Sequence, residues 1–213
     1  MTAPDLTAIA RRSGASCLDV MGGVHEDGGT IILLGPSRSF WPMMKASPEM
    51  QDGAPDPIDR WSRRVIGDLA QSLGAEALFP FGGPPYLPFL RWAMGSGRAW
   101  QSPAGMLVHD VAGLMVSYRG ALRFSDQIIL PPTSVSPCRT CPDQPCLSAC
   151  PVDALSAAHG YDVPACHAFL DTNAGDDCLT SGCKARRACP VSQSFARDPE
   201  QSAFHMSYFH RRP

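Results

Sequence analysis

The cysteines of this chain are concentrated in one stretch, and their spacing suits metal or cluster binding. Of the nine cysteines, Cys17 stands alone and the other eight lie within 138–189. They form two runs that each close on a Cys-Pro pair: CRTCPDQPCLSACP at 138–151, and a longer run that ends in CLTSGCKARRACP at 178–190. In a reducing compartment such density indicates metal or redox chemistry before disulfides. These eight thiols are therefore the first candidates for a functional site.

An iron–sulfur cubane needs four thiolates, so eight thiols match two clusters. The two runs resemble those of two-cluster ferredoxins, in which the Cys-Pro cysteine of each run ligates the other cluster. The resemblance implies two crossed ligand sets for two 4Fe-4S clusters. The first thiol set is Cys138, Cys141, Cys146 and Cys189, and the second thiol set is Cys150, Cys166, Cys178 and Cys183.

The spacing of the runs departs from the usual two, two and three intervening residues. Four residues separate Cys141 from Cys146, and the second run is stretched to eleven, four and five. Two zinc sites are the alternative, because all-cysteine zinc sites also use C-x2-C loops. The paired Cys-Pro closures favour clusters. Basic residues near the runs either offset the cluster charge or are solvated: Arg139, Lys184, Arg186 and Arg187.

Composition predicts a globular protein of the cytoplasm. Hydrophobic residues make up 44% of the 213 positions and charged residues 18%. No apolar run approaches the roughly 18 residues that a membrane span needs. The first residues, MTAPDLTAIARRSG, carry acid and polar side chains where a signal peptide needs an apolar core. The net charge of -2 gives no basic field for nucleic acid.

The elements around the cysteines divide the chain at LPPTSVSP, 130–137, which reads as a stiff connector. Domains are expected at 1–130 and 131–213. The first is mixed α and β, with helices and strands read from periodicity and glycine stops: helices in 2–14, 56–74 (capped by Asp56) and 86–97, strands at 30–36 and 75–82, and two strands within 105–124 joined at Val111-Ala112-Gly113. The second has too little periodic apolar sequence to build a core unaided.

The segment PVDALSAAHGYDVPACHAFL, 151–170, resembles the ferredoxin domain of epoxyqueuosine reductases. The stretches LLGPSRSFWPMM (33–44), DPIDRWSRRVIG (56–67) and SYRGAL (117–122) are similar to cblC-type cobalamin-processing proteins. These resemblances imply an α+β chain: a nitroreductase-like (cblC-like) antiparallel-sheet domain followed by a small two-cluster ferredoxin-like domain. A queuosine role is not expected, because the acidic catalytic motif of epoxyqueuosine reductases is missing.

The resemblance further implies a function in electron transfer to a corrinoid. The chain is then a cobalamin-dependent oxidoreductase or processing protein, supplied with electrons by a redox partner protein. The alternative is a ferredoxin-like electron carrier or corrinoid chaperone without catalysis. Arg119 resembles a position near the thiol-binding arginines of cblC-type pockets, and its competing role is a salt bridge on the strand. His109 is a candidate proton donor or cobalt ligand, although a strand-end histidine is more often hydrogen-bonded structure. Trp41, Met43 and Met44 either border a corrin or belong to the core.

Overall fold

A computed structural model describes residues 4–130 and 133–212 of the chain. Within these residues the α-helices are α1 (Leu6–Ala15), α2 (Phe40–Lys45), α3 (Pro48–Gln51), α4 (Pro57–Leu73), α5 (Phe89–Gly95), α6 (Val163–Leu170), α7 (Asp176–Ser181), α8 (Lys184–Ala188), α9 (Pro190–Phe195) and α10 (Pro199–Phe209). The strands are β1 (Leu18–Glu26), β2 (Gly29–Pro36), β3 (Glu76–Leu78), β4 (Ala99–Gln101), β5 (Leu107–His109), β6 (Gly120–Phe124), β7 (Leu155–Ser156) and β8 (Gly160–Tyr161). The predicted α+β class is confirmed. None of the described helices combines the length and apolar character needed to cross a membrane.

The chain divides into two compact units. The first unit contains the described residues of 1–98 and 117–134, and the second unit contains those of 99–116 and 135–213. Residues 99–116, which the sequence analysis grouped with the first domain, therefore pack with the cysteine-rich part. Pro131 and Pro132 of the predicted connector lie outside the described residues.

The first unit is built on a four-stranded antiparallel sheet in the order β1-β2-β6-β3. β2 is buried at every position, as its continuous apolar run predicts for a central strand. β1 was not foreseen, because Gly22 and Gly23 interrupt its apolar pattern. The Asp27-Gly28 pair was the available signal, because this dipeptide favours a two-residue hairpin loop. In the structure both residues are left-handed, with φ of 51° and 79°, and they connect β1 to β2.

The long amphipathic helix of the first unit is α4, and it matches the predicted range. Its apolar face is buried through residues such as Trp61, but Ile66 is the buried residue where Val65 was expected. Gly74 ends the helix in the left-handed conformation, with φ of 67°. The predicted cap at Asp56 is wrong. Asp56 is itself left-handed and its side chain makes no capping hydrogen bond, so the helix begins on Pro57 without one.

The two strands predicted within 105–124 exist, but they do not pair with each other. β5 pairs with β4 in the second unit, whereas β6 pairs with β2 and β3 in the first. The cause is the turn after β5. The backbones of His109 and Gly113 exchange two hydrogen bonds of 3.0 Å, so the predicted corner folds back onto the end of β5. No partner strand begins there.

The second unit owes its core to residues from both of its chain segments. Beside the β4/β5 hairpin it contains the short β7/β8 hairpin and the helices α6 to α10. Its buried apolar cluster consists of Ala104, Val108, Leu114, Cys146, Leu155, Ala185 and Cys189. Three of these residues come from 99–116. A cysteine-rich region with few periodic apolar positions thus obtains a core from a neighbouring segment.

Candidate metal centre

The first thiol set is brought together in the second unit. Cys138 lies in a 3-10 turn at Pro137–Thr140, and Cys189 lies between α8 and α9. Burial raises the pKa of the Cys146 thiol, and the nearby thiols of Cys138, Cys189 and Cys141 raise it further. Burial likewise raises the pKa of Cys138; a hydrogen bond from Ser136 opposes this, and Cys189 and Cys141 add to it. The Cys-Pro cysteine of the second run therefore sits among the thiols of the first run.

The second thiol set shows the reciprocal exchange. Cys166 lies in α6 and Cys178 in α7, and Cys183 directly precedes α8. Burial raises the pKa of Cys166, and the neighbouring thiols of Cys183, Cys150 and Cys178 raise it further. Cys150, the Cys-Pro cysteine of the first run, thus sits among thiols of the second.

Short helices with defined ends hold the ligands that are far apart in sequence. α8 spans only the five residues between Cys183 and Cys189, so it links the two thiol sets directly. Pro190 occupies the first position of α9, where a missing N–H costs nothing. Cys189 occupies the N-cap position of α9, so the second Cys-Pro pair also marks the start of this helix.

None of the thiols is paired in a disulfide. All nine cysteines are free. Among the described residues, no group of three or more His, Cys, Asp and Glu converges closely enough to hold a single metal ion. Four thiolates suit either a tetrahedral zinc ion or a 4Fe-4S cubane.

Polar groups contact the second thiol set. The Tyr161 hydroxyl donates to Cys166 Sγ at 3.2 Å, and the Ala154 amide donates to Cys150 Sγ at 3.3 Å. Burial and the bond to Cys166 raise the pKa of Tyr161 well above its ordinary range, so it stays a donor. The sequence analysis did not single out Tyr161. Its position five residues before Cys166 was the available signal.

The four basic residues named from sequence have different surroundings. Arg139 is exposed. Arg187 Nη2 and Lys184 Nζ lie 2.5 Å and 3.5 Å from the Asp177 carboxylate, which neutralises them in part. Arg186 instead donates to the Leu114 carbonyl at 2.5 Å.

The two predicted cofactor contacts, His109 and Arg119, belong to different units. His109 is fully buried, and its Nδ1 accepts the amides of Val111 and Ala112 at 3.1 Å and 3.3 Å. Asp110 Oδ1 also lies 3.0 Å from that nitrogen. His109 thus has a local structural role, and its role toward cobalt stays a prediction.

Arg119 is engaged inside the first unit. Its Nη2 donates to the Asp59 carboxylate and its Nε donates to Ser62 Oγ at 3.2 Å. The guanidinium also lies 5.4 Å from the ring centroid of Phe81. Burial lowers the pKa of Arg119, while Asp59 opposes the shift. The salt bridge considered as its competing role is present, and a contact with a corrinoid stays a prediction.

Comparison with known proteins adds no assignment. No protein-family model, curated protein or solved structure matches the chain. The case for a function therefore rests on the chain's own residues and on the motifs quoted above.

Proposed function

We propose that the second unit binds two 4Fe-4S clusters and that the protein transfers electrons in the cytoplasm. The observation that carries the proposal is the exchange of Cys-Pro cysteines: Cys189 lies with the first run and Cys150 with the second. Eight free, grouped thiols match the ligands of two cubanes. When bound, such a cluster takes up and releases single electrons. The chain's own residues supply the ligands, of which Cys146, Cys178 and Cys189 are buried.

Paired cysteine substitutions test the crossed ligand sets. Replacing Cys138 and Cys189 together by alanine removes two ligands of one set, so about half of the bound iron should remain. Replacing Cys138 and Cys150 together damages both sets and should remove nearly all of it. If each run instead ligated its own cluster, the two results would be reversed. Cys17→Ser is the matched control and should leave the iron content unchanged.

The finer fold assignment is part of the same proposal. We infer a nitroreductase-like (cblC-like) first unit and a ferredoxin-like second unit. The antiparallel sheet with flanking helices is compatible with the former. Support for both names comes from the resembling motifs in 33–44, 56–67, 117–122 and 151–170.

A corrinoid as the electron acceptor rests on the resemblance. Two nitrogens of Arg119 are already engaged, and Trp41 and Met44 are buried in the core of the first unit. These residues therefore add no support beyond the motifs. Titrating the clustered protein with cob(II)alamin tests the idea. Binding should shift the cobalt EPR signal, and turnover of reduced cobalt separates an oxidoreductase from a chaperone. An unshifted signal at protein excess leaves a ferredoxin-like electron carrier, served by a redox partner protein.

A further inference from the structure

Two partly buried arginines of the second unit, Arg186 and Arg197, have no acidic partner among the described residues. Arg187 and Lys184 share Asp177, and Arg212 lies 2.6 Å from Asp176. In the part of the chain that the structure describes, Arg186 and Arg197 contact no carboxylate. Their positive charge is therefore not balanced by the protein.

Arg186 lies three residues along the chain from one ligand of each thiol set. It lies in α8, whose ends adjoin Cys183 of the second set and Cys189 of the first. Its Nη1 donates to the carbonyl of Leu114, which belongs to the same buried cluster as Cys189. Its charge also acts on Tyr161, the hydroxyl donor to the second set.

Arg197 stands near Arg186, and both side chains are partly buried. Its Nη1 donates to the Met115 carbonyl at 3.2 Å, next in sequence to the carbonyl that Arg186 uses. Its Nε is buried and has no hydrogen-bond partner among the described residues. Burial, together with the charge of Arg186, lowers the pKa of Arg197 to about 10. Two neighbouring positive charges thus share one partly buried region, in which the Nε of Arg197 is enclosed.

Such an arrangement is costly unless a negative charge lies nearby, because a buried charge needs a partner and like charges repel. Carbonyl oxygens offer only partial charge. A cubane with four thiolates carries a net negative charge that grows on reduction.

We propose that Arg186 and Arg197 form a built-in counter-charge for the two clusters, which stabilises their reduced states and raises their reduction potentials. This inference rests on the proposed function. It selects one of the four basic residues named from sequence, Arg186, and adds Arg197, which sequence reasoning missed. The segment SFARDPE around Arg197 gives no signal of burial, so only the fold could reveal it.

EPR-monitored redox titration of the reconstituted full chain tests the proposal. Arg186→Gln and Arg197→Gln keep hydrogen-bonding capacity but remove charge, and both should shift the cluster potentials to more negative values. Arg186→Lys and Arg197→Lys retain the charge and should stay near the wild-type potentials. The matched control is Arg139→Gln, an exposed arginine beside the ligand Cys138, which should produce a much smaller shift.

The outcomes separate this inference from the proposed function. Wild-type protein without iron would sink the proposed function itself. Clustered Gln variants with wild-type potentials would overturn the counter-charge alone. The Gln variants could lose their clusters altogether. In that case, Lys variants that keep their clusters and wild-type potentials support the role of the positive charge, whereas Lys variants that lose their clusters to the same extent contradict it. Saturable phosphate binding that Arg197→Gln abolishes without changing the potentials would assign the pair to anion binding instead.

Discussion

Two ligands of the first thiol set lie in an apolar core, and the set accepts hydrogen bonds from Ser136 and from the Cys146 amide. The second thiol set accepts three hydrogen bonds, from a tyrosine hydroxyl and from two backbone amides. Cys146 and Cys189 pack with Val108 and Leu114. The second set receives the Tyr161 hydroxyl at Cys166 and the Ala154 amide at Cys150, and the Lys184 amide donates to Cys178. Hydrogen bonds to sulfur favour the more negative, reduced cluster, and apolar burial opposes it. The same ligands should therefore give the second set the higher potential.

Both thiol sets are expected to need bound metal to keep the second unit folded, so removing the metal should have the largest effect. Chelating the iron anaerobically should unfold much of the second unit. Its cysteines then bind no metal, and the short helices between them add little stability of their own. Hydrogen exchange should then show lost protection over 138–190. The first unit, with its four-stranded sheet, serves as the internal control and should keep its protection. Native protection over 138–190 in the iron-free form would show that the polypeptide alone holds both sets.

A pair of core truncations should separate the two sets. Leu114→Ala removes a fully buried neighbour of the first set and should cost about 2–5 kcal/mol of unfolding free energy. Leu170→Ala makes an equally buried cavity at the end of α6, the helix that carries Cys166. Iron-content and EPR measurements should show that Leu114→Ala loses iron mainly from the first set and that Leu170→Ala loses it mainly from the second. Equal loss from both sets in both variants would mean that the sets are not independently supported.

Tyr161→Phe should narrow the difference in potential between the two clusters with little effect on folding. Loss of the hydroxyl removes a donor to Cys166 Sγ, so the second cluster should shift to a more negative potential while the first stays unchanged. The measurement is a redox titration that resolves two EPR signals. Tyr208→Phe is the matched control, since Tyr208 is half exposed and its ring packs on Phe204 and not on a cysteine. A shift of both clusters, or of neither, would deny Tyr161 this role.

The smallest effect is expected from Asp177→Asn. Hydrogen bonding and charge from Arg187 and Lys184 lower the pKa of Asp177, so its stabilisation is present above its ordinary value of 3.8 and is lost as the pH falls through the lowered pKa. The pair is half exposed, so the substitution should cost at most about 1 kcal/mol at neutral pH. Denaturant unfolding at pH 7 and in that acidic window measures it. A loss that persists unchanged below the window would point to packing instead of charge.

The parts predicted from sequence are those that depend on local pattern. α4 follows from apolar spacing, β2 from a continuous apolar run, and the ligand candidates from cysteine spacing. The parts that were missed depend on tertiary structure. β5 and β6 looked like a hairpin, but the turn at His109–Gly113 sends them to different units. Arg197 was not considered from the sequence, because only the surrounding fold encloses its Nε.

Metal and sulfide analysis of the anaerobically reconstituted full chain tests the central claim most directly. Two cubanes require about eight iron and about eight sulfide per chain, and the reduced protein should show the EPR signals of two interacting 4Fe-4S clusters. Zinc in stoichiometric amounts, with no iron retained after reconstitution, would contradict the account and assign the eight thiols to zinc.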